Sequence, residues 1–262
     1  NKPGGAGTVA MQDVARAAPD GYTLILGHVG TLAVNPYMLN NQPYDVNRDF
    51  QPITLLAKVP NVFVIHPNVP AKDFREFVAY AKRNPGRMNY GSAGNASAGH
   101  LAMEYLKLVT GMFITHIPYR GAGPALNDVV AGQVAIMFDN LPSALPFILS
   151  GKLVPIVVAA PQRLSVLPNV PTFKEVGLEP VNRMAYYGIL GPKNLPKEVV
   201  DKISGGVKKA LEDPAVRKRI EDTGSLIVAN TPEQFAAQIK ADRKSTRLNS
   251  SHTDRSRMPS SA

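Results

Sequence analysis

Apolar and polar positions along the chain alternate between two regimes. Short apolar runs stand at Thr23–Gly27, Val62–His66, Met88–Gly91, Ile114–Tyr119, Val134–Asp139, Val154–Ala160 and Tyr186–Leu190, and runs of this length bounded by Gly, Pro or Asn predict strands. Between them, apolar residues recur at helical spacing over Lys72–Arg83, Gly99–Thr110, Pro124–Ala131, Ser143–Ser150, Pro196–Leu211, Pro214–Thr223 and Pro232–Lys240. Strands interleaved with helices of this length predict an α/β protein built from βαβ units, with mainly parallel sheets. In such folds ligands bind beyond the carboxyl ends of the strands, which directs attention to the strand-to-helix loops.

The most informative loop is Gly91-Ser92-Ala93-Gly94-Asn95-Ala96-Ser97-Ala98-Gly99-His100, between a predicted strand and an amphipathic helix. Its small residues let a ligand approach the backbone, where free N–H groups and the helix dipole favour negative charge. The same pattern is equally that of a tight turn with Ser97 as N-cap. Two further junctions follow the same plan, Tyr119-Arg120-Gly121-Ala122-Gly123-Pro124 and Asp139-Asn140-Leu141-Pro142-Ser143. Together the three would aim three helix N-termini at one region. A fourth loop, His28-Val29-Gly30-Thr31, follows the first strand. Arg120 is placed to pair bidentately with a carboxylate or to brace a neighbouring loop. Asp139 is placed to cap a helix or to accept from a ligand amine or hydroxyl. Thr31 either offers its hydroxyl to a ligand or caps a turn. Tyr119, Tyr186 and Tyr187 are candidates for a cleft wall, and His100 falls in the first turn of its helix.

Composition narrows the function. At 262 residues with 44% hydrophobic and 19% charged positions, the chain has the makeup of a globular protein with one large or two modest domains. No apolar run approaches the roughly 20 residues of a membrane span. Zero cysteines exclude disulfides and thiolate sites and fit an oxidising compartment without requiring one. The net charge of +9 includes +3 from Lys244 to Ala262, leaving +6 spread over the body without a basic run or interleaved aromatics; nucleic acid is not the expected partner. The five histidines show no metal-binding spacing, and neither a Gly-x-Ser-x-Gly elbow nor a phosphate-binding loop is present. No metal or cofactor is expected. The chemistry offered is capture of a small anion, with a Ser92–His100 nucleophile as the enzymatic alternative.

Several segments together resemble the substrate-binding proteins of tripartite tricarboxylate transporters, the TctC or Bug family. They are Pro3-Gly4-Gly5-Ala6-Gly7-Thr8, Ala17-Ala18-Pro19-Asp20-Gly21-Tyr22-Thr23-Leu24, Asn89 to His100, His116-Ile117-Pro118-Tyr119-Arg120-Gly121, Ala131-Gly132-Gln133-Val134 and Leu167-Pro168-Asn169-Val170-Pro171-Thr172-Phe173. The resemblance covers about residues 1 to 240. It implies a two-lobed, type II-like periplasmic binding protein with parallel-rich sheets flanked by helices and a ligand cleft between the lobes. It also implies a monomer that is not an enzyme, holds a small organic carboxylate and presents it to membrane permease subunits. Carried over residue by residue, Ser92, Ala93, Gly94, Asn95, Ser97 and His100 would supply one side of the cleft. Gly30 and Thr31 would supply the other, with Tyr119, Arg120 and Asp139 adding contacts. A sensor of the same fold, or a hydrolase or isomerase acting on a carboxylate, remains the alternative.

The expected division is residues 1–64 and 188–243 in lobe one, and 65–187 in lobe two. Family members begin with a further strand, loop and helix, so lobe one is expected to be truncated at its start. No leader is visible, and Asn1 in place of Met marks a fragment or a processed form. Residues 244–262 lose all periodicity and are expected to be a foreign or disordered tail.

Overall fold

The structure is a computed structural model that describes residues 7–38, 41–95 and 97–255. Its strands are β1 (Ile25–His28), β2 (Phe50–Val59), β3 (Asn61–Ile65), β4 (Asn89–Ser92), β5 (Thr115–Pro118), β6 (Ile136–Asn140), β7 (Val154–Ala159), β8 (Ala185–Pro192) and β9 (Leu226–Ile227). Its helices are α1 (Thr8–Ala15), α2 (Asn35–Met38), α3 (Val46–Asp49), α4 (Phe74–Arg83), α5 (Ala98–Thr110), α6 (Ala122–Val130), α7 (Leu141–Leu149), α8 (Lys197–Glu212), α9 (Pro214–Glu221) and α10 (Pro232–Arg255). A π-helical turn, Gly30–Val34, leads from β1 into α2.

The strands form two sheets, one per lobe, in the orders β1-β8-β2-β9 and β5-β4-β6-β3-β7. Between β2 and β3 only Pro60 intervenes, so the chain leaves the first sheet and enters the second within one residue. It returns through a 3₁₀ turn, Glu179–Val181, and Asn182–Met184 into β8. The Asn61 amide donates to the Arg183 carbonyl at 3.2 Å and ties the two crossings together. Strand β3 therefore belongs wholly to the second sheet and β8 wholly to the first.

The sheets are less parallel than the pattern predicts. In the second sheet β4 pairs parallel with β5 and β6, as their helical crossovers require. But β3 lies antiparallel between β6 and β7, and every pairing of the first sheet is antiparallel. The reason is the two crossings. A strand arriving from the other lobe enters its sheet against the direction of the local βα units, and β3 and β8 are those strands. Periodicity cannot report this, because strand direction is not encoded in alternation.

Alternation along β3 and β6 builds a core on each face of the second sheet. Phe63, Ile65, Ile136 and Phe138 pack toward α4 and α5 with Phe77, Tyr90 and Met103. Val62, Val64 and Met137 pack the other way against Leu126, Val129, Leu141 and Leu145 of α6 and α7. The first lobe closes around Met11, Leu32, Tyr44, Phe50, Leu55, Tyr186, Leu190, Phe235 and Ile239.

The tail expected to lack structure is helical as far as Arg255, as the continuation of α10. Once Phe235 and Ile239 anchor the helix in the core, each further residue adds a backbone hydrogen bond without a new nucleation cost. Lys244, Arg247 and Leu248 are good helix formers, and no Gly or Pro interrupts before Pro259.

Candidate functional site: an interlobe anion cleft

Strand β4 ends at Ser92, whose buried hydroxyl donates to the Gly94 carbonyl and accepts from the Gly94 N–H, each at 3.1 Å. His116 Nε2 on β5 lies 2.7 Å from the same oxygen. Neighbouring loops are laced to this turn: the Tyr119 N–H donates to the Ser92 carbonyl and the Gly121 N–H to the Ala93 carbonyl. Gly94 takes a φ of +126°, and a Cβ there would stand 3.2 Å from the Tyr119 carbonyl oxygen. Ser97 caps α5 by accepting from the His100 N–H. At Gly99 a Cβ would come within 2.2 Å of the Phe138 carbonyl oxygen, so the first turn of α5 sits directly on the end of β6.

A cleft of about 200 Å³ opens between the lobes at this point. The second lobe contributes Asn61, Ala93, Ser97, Ala98, Gly99, Ala122, Phe138, Asp139 and Asn140, and the first contributes His28, Val29, Ala185 and Tyr187. Its lining thus includes the starts of α5 and α6 and the Asn140 cap of α7, whose Leu141 N–H already donates to the Pro60 carbonyl. The N–H groups of a first helical turn point out of the helix end, and each such end favours a negative charge by about 0.3–1 kcal/mol when exposed and more when partly buried. A cleft of this size has room for a small acid.

On the first-lobe wall, His28 Nδ1 accepts from the Gly30 N–H at 3.0 Å. The neutral ring then carries its proton on Nε2, a donor. Burial pushes the His28 pKa down to about 4, so the imidazole is neutral at ordinary pH. Across the cleft, the Asn140 amide donates to the Tyr187 hydroxyl at 2.7 Å, a hydrogen bond that spans the lobes. Asp139 lies beside it, buried, and its Oδ2 has no hydrogen-bond partner among the described residues. Burial pushes its pKa up to about 6, partly offset by the Asn140 N–H.

Of the residues singled out from sequence, Ala93, Ser97 and Asp139 line the cleft. Ser92 and Gly94 shape the loop from beneath, and Asn95 is exposed at its tip. Gly30 and Thr31 act on His28, whose carbonyl accepts from the Thr31 hydroxyl. His100 stacks on His116 with ring centroids 4.2 Å apart. Tyr119 donates to the Asp128 carboxylate at 2.6 Å, and Arg120 is exposed outside the lining. Tyr187 lines the cleft, whereas Tyr186 belongs to the first-lobe core. The lining residues not singled out are led by His28, Asn61 and Asn140. His28 and Asn140 both lie inside loops already marked, but neither was singled out as a site residue. Asn61 sits at a lobe crossing that only the topology reveals.

A larger groove, about 650 Å³, lies between residues 161–168 and 217–227. Its guanidinium groups are already paired, Arg163 with Glu175 and Arg217 with Glu221, so it offers an anion no comparable set of donors. Among the described residues no three His, Asp or Glu stand close enough to hold a metal ion. No helix among them is long and apolar enough to cross a membrane.

The fold has close counterparts among known proteins. A structure described as a periplasmic transporter is 44% identical and superposes with a TM-score of 0.92, over 94% of this chain and 82% of its own. A Rhodopseudomonas palustris protein, MatC, solved with bound malate, is 33% identical with a TM-score of 0.87, over 93% of this chain and 84% of its own. A second R. palustris protein, solved with adipate, is 29% identical with a TM-score of 0.91, over 95% and 83%. The family profile described as tripartite tricarboxylate transporter family receptor matches residues 1–249. With that match running through both lobes and every loop of the cleft, the chain belongs to the tripartite tricarboxylate transporter receptor family, a class of solute-binding proteins.

Proposed function

We propose that this protein is a periplasmic receptor that closes its two lobes over a small organic carboxylate, as a monomer, and delivers it to the membrane permease of a tripartite tricarboxylate-type transporter without chemical turnover. The observation that carries this reading is the convergence of the starts of α5 and α6 on one small interlobe cleft. Ala98, Gly99 and Ala122 supply backbone donors to the ligand carboxylate, and His28 Nε2 supplies one from the opposite lobe. Because these donors sit on different lobes, a carboxylate gains all of them only when the lobes are shut, and binding shifts the population toward closure. Ser92, Gly94, Asn95, His100, Tyr119, Gly30 and Thr31 position those donors, and Arg120 at the rim steers the anion. The two relatives solved with adipate and malate support an organic acid as the cargo class.

Thermal unfolding against a panel of organic acids tests the reading. A ligand at 100 times its Kd stabilises the native state by about 2.7 kcal/mol. Replacing Ala98 with Glu puts a negative charge at the start of α5, which suits the helix dipole but repels the ligand. The unliganded Tm is expected to stay level or rise while the ligand shift disappears. A folded protein that responds to no carboxylate would sink the proposal.

A further inference from the structure

Nearly every polar group on the cleft wall is accounted for by a partner inside the protein. Asn61 donates to the Arg183 carbonyl, Ser97 holds the His100 N–H, and Asn140 donates to Tyr187. Asp139 stands apart. Its side chain lies at the end of β6, on the face whose preceding residue of the same parity, Met137, is packed in the apolar core. It is 7% exposed, and its Oδ2 is buried without a partner among the described residues. A carboxylate oxygen in that position costs free energy unless something donates to it. It also lies among helix starts that attract a ligand carboxylate, where two carboxylates would repel each other.

One ligand feature resolves both problems. A protic group on the carbon next to the ligand carboxylate would reach Asp139 while the carboxylate stays on the helix starts. We infer that Asp139 is the specificity-determining residue of the cleft, selecting carboxylates that carry an ammonium or hydroxyl group on the adjacent carbon over the bare acids. This inference rests on the carboxylate-receptor reading above and narrows its substrate class. The titratable groups lining the cleft besides Asp139 are His28 on β1 and Tyr187 on β8. His28 is held neutral, and the Tyr187 pKa is raised by burial and by the Asp139 charge, so neither competes as the anionic acceptor.

The pH dependence carries a sign. A ligand donor pairs with ionised Asp139, so affinity for a 2-amino or 2-hydroxy acid falls as pH drops through about 6. A bare acid is accommodated only once Asp139 is protonated, so its affinity rises over the same interval.

Isothermal titration calorimetry on the whole chain decides the matter. The ligands are propanoate, succinate and adipate, each beside its 2-hydroxy and 2-amino derivatives in both enantiomers. A substituted acid is expected to bind at least tenfold tighter than its parent at pH 7.5 and to lose that advantage at pH 5. Asp139→Ala should abolish the preference. Asp139→Asn, which retains a neutral acceptor, should abolish it for an amino acid and preserve part of it for a hydroxy acid, separating the two donors. Equal or tighter binding of the bare parent, unchanged by either variant, overturns the inference and leaves the receptor reading standing. No binding by any carbon skeleton overturns both.

Discussion

Gly99 and Gly123 are two helix-start glycines with opposite surroundings. A methyl at Gly99 meets the Phe138 carbonyl at 2.2 Å, a backbone atom that cannot rotate away, while Gly123 has nothing within 4 Å. Gly99→Ala must therefore lift the start of α5 off β6, at a cost typical of overpacking, about 1–3 kcal/mol. The shift also moves the Ala98 and Gly99 N–H groups that line the cleft, so ligand affinity falls with stability. Gly123→Ala removes unfolded-chain entropy in a helix and is expected to stabilise by about 0.4–1 kcal/mol. Thermal denaturation of the two variants side by side checks the contrast. The same expected Tm change at both sites would contradict the close approach of α5 to β6. Sequence marked Gly99 as a small residue kept for a ligand, but its nearest constraint is the protein's own backbone.

Elements were legible in proportion to how cleanly one period ran through them. Helix α4 repeats its apolar face through Phe74, Phe77 and Ala81 and starts on Asp73, which accepts from the Glu76 N–H; both signals are local and readable. Strand β2 was missed because Pro52 and two register shifts, at Pro52/Thr54 and Leu55/Ala57, break its alternation. Its identity comes from tertiary pairing with β8. Helix α10 was read correctly to Lys240 but not beyond, since its extension follows from nucleation upstream. Among the described side chains of α10 the buried hydrophobic anchors are Phe235 and Ile239, on one face. Ile239→Ala is expected to cost about 2–5 kcal/mol, whereas Lys240→Ala, on the exposed face, should stay within about 0.5 kcal/mol. Denaturant titration measures both, and comparable losses would mean that α10 does not pack as placed here.

Over the whole molecule, the binding cleft and the stability of the fold pull against each other. On the proposed reading, two lobes that part to admit a ligand cannot satisfy every group between them from within. Asp139 and His28 mark the conflict, one on each lobe, the first buried and the second half-buried, and neither is ion-paired among the described residues. Their effects on stability run in opposite directions with pH. The Asp139 pKa is higher in the fold than in the unfolded chain, so the folded state binds its proton more tightly. Stability from this group is gained as pH falls below about 6 and withheld at neutral pH, where ionised Asp139 costs about 3 kcal/mol. The His28 pKa is lower in the fold, so stability is lost as pH falls from 6.5 toward about 4, where the ring is forced to charge. The two terms offset each other over one window, which leaves the wild-type profile flatter than either group alone would make it. Asp139→Asn removes one term and exposes the other. At pH 7 the unliganded variant is expected to melt several degrees above wild type, and the gap should close as pH approaches 4. A receptor that becomes more stable when its cleft carboxylate is removed would have kept that carboxylate for its ligand. A variant less stable than wild type at pH 7, with a gap independent of pH, would instead make Asp139 a structural residue with an unrecognised partner.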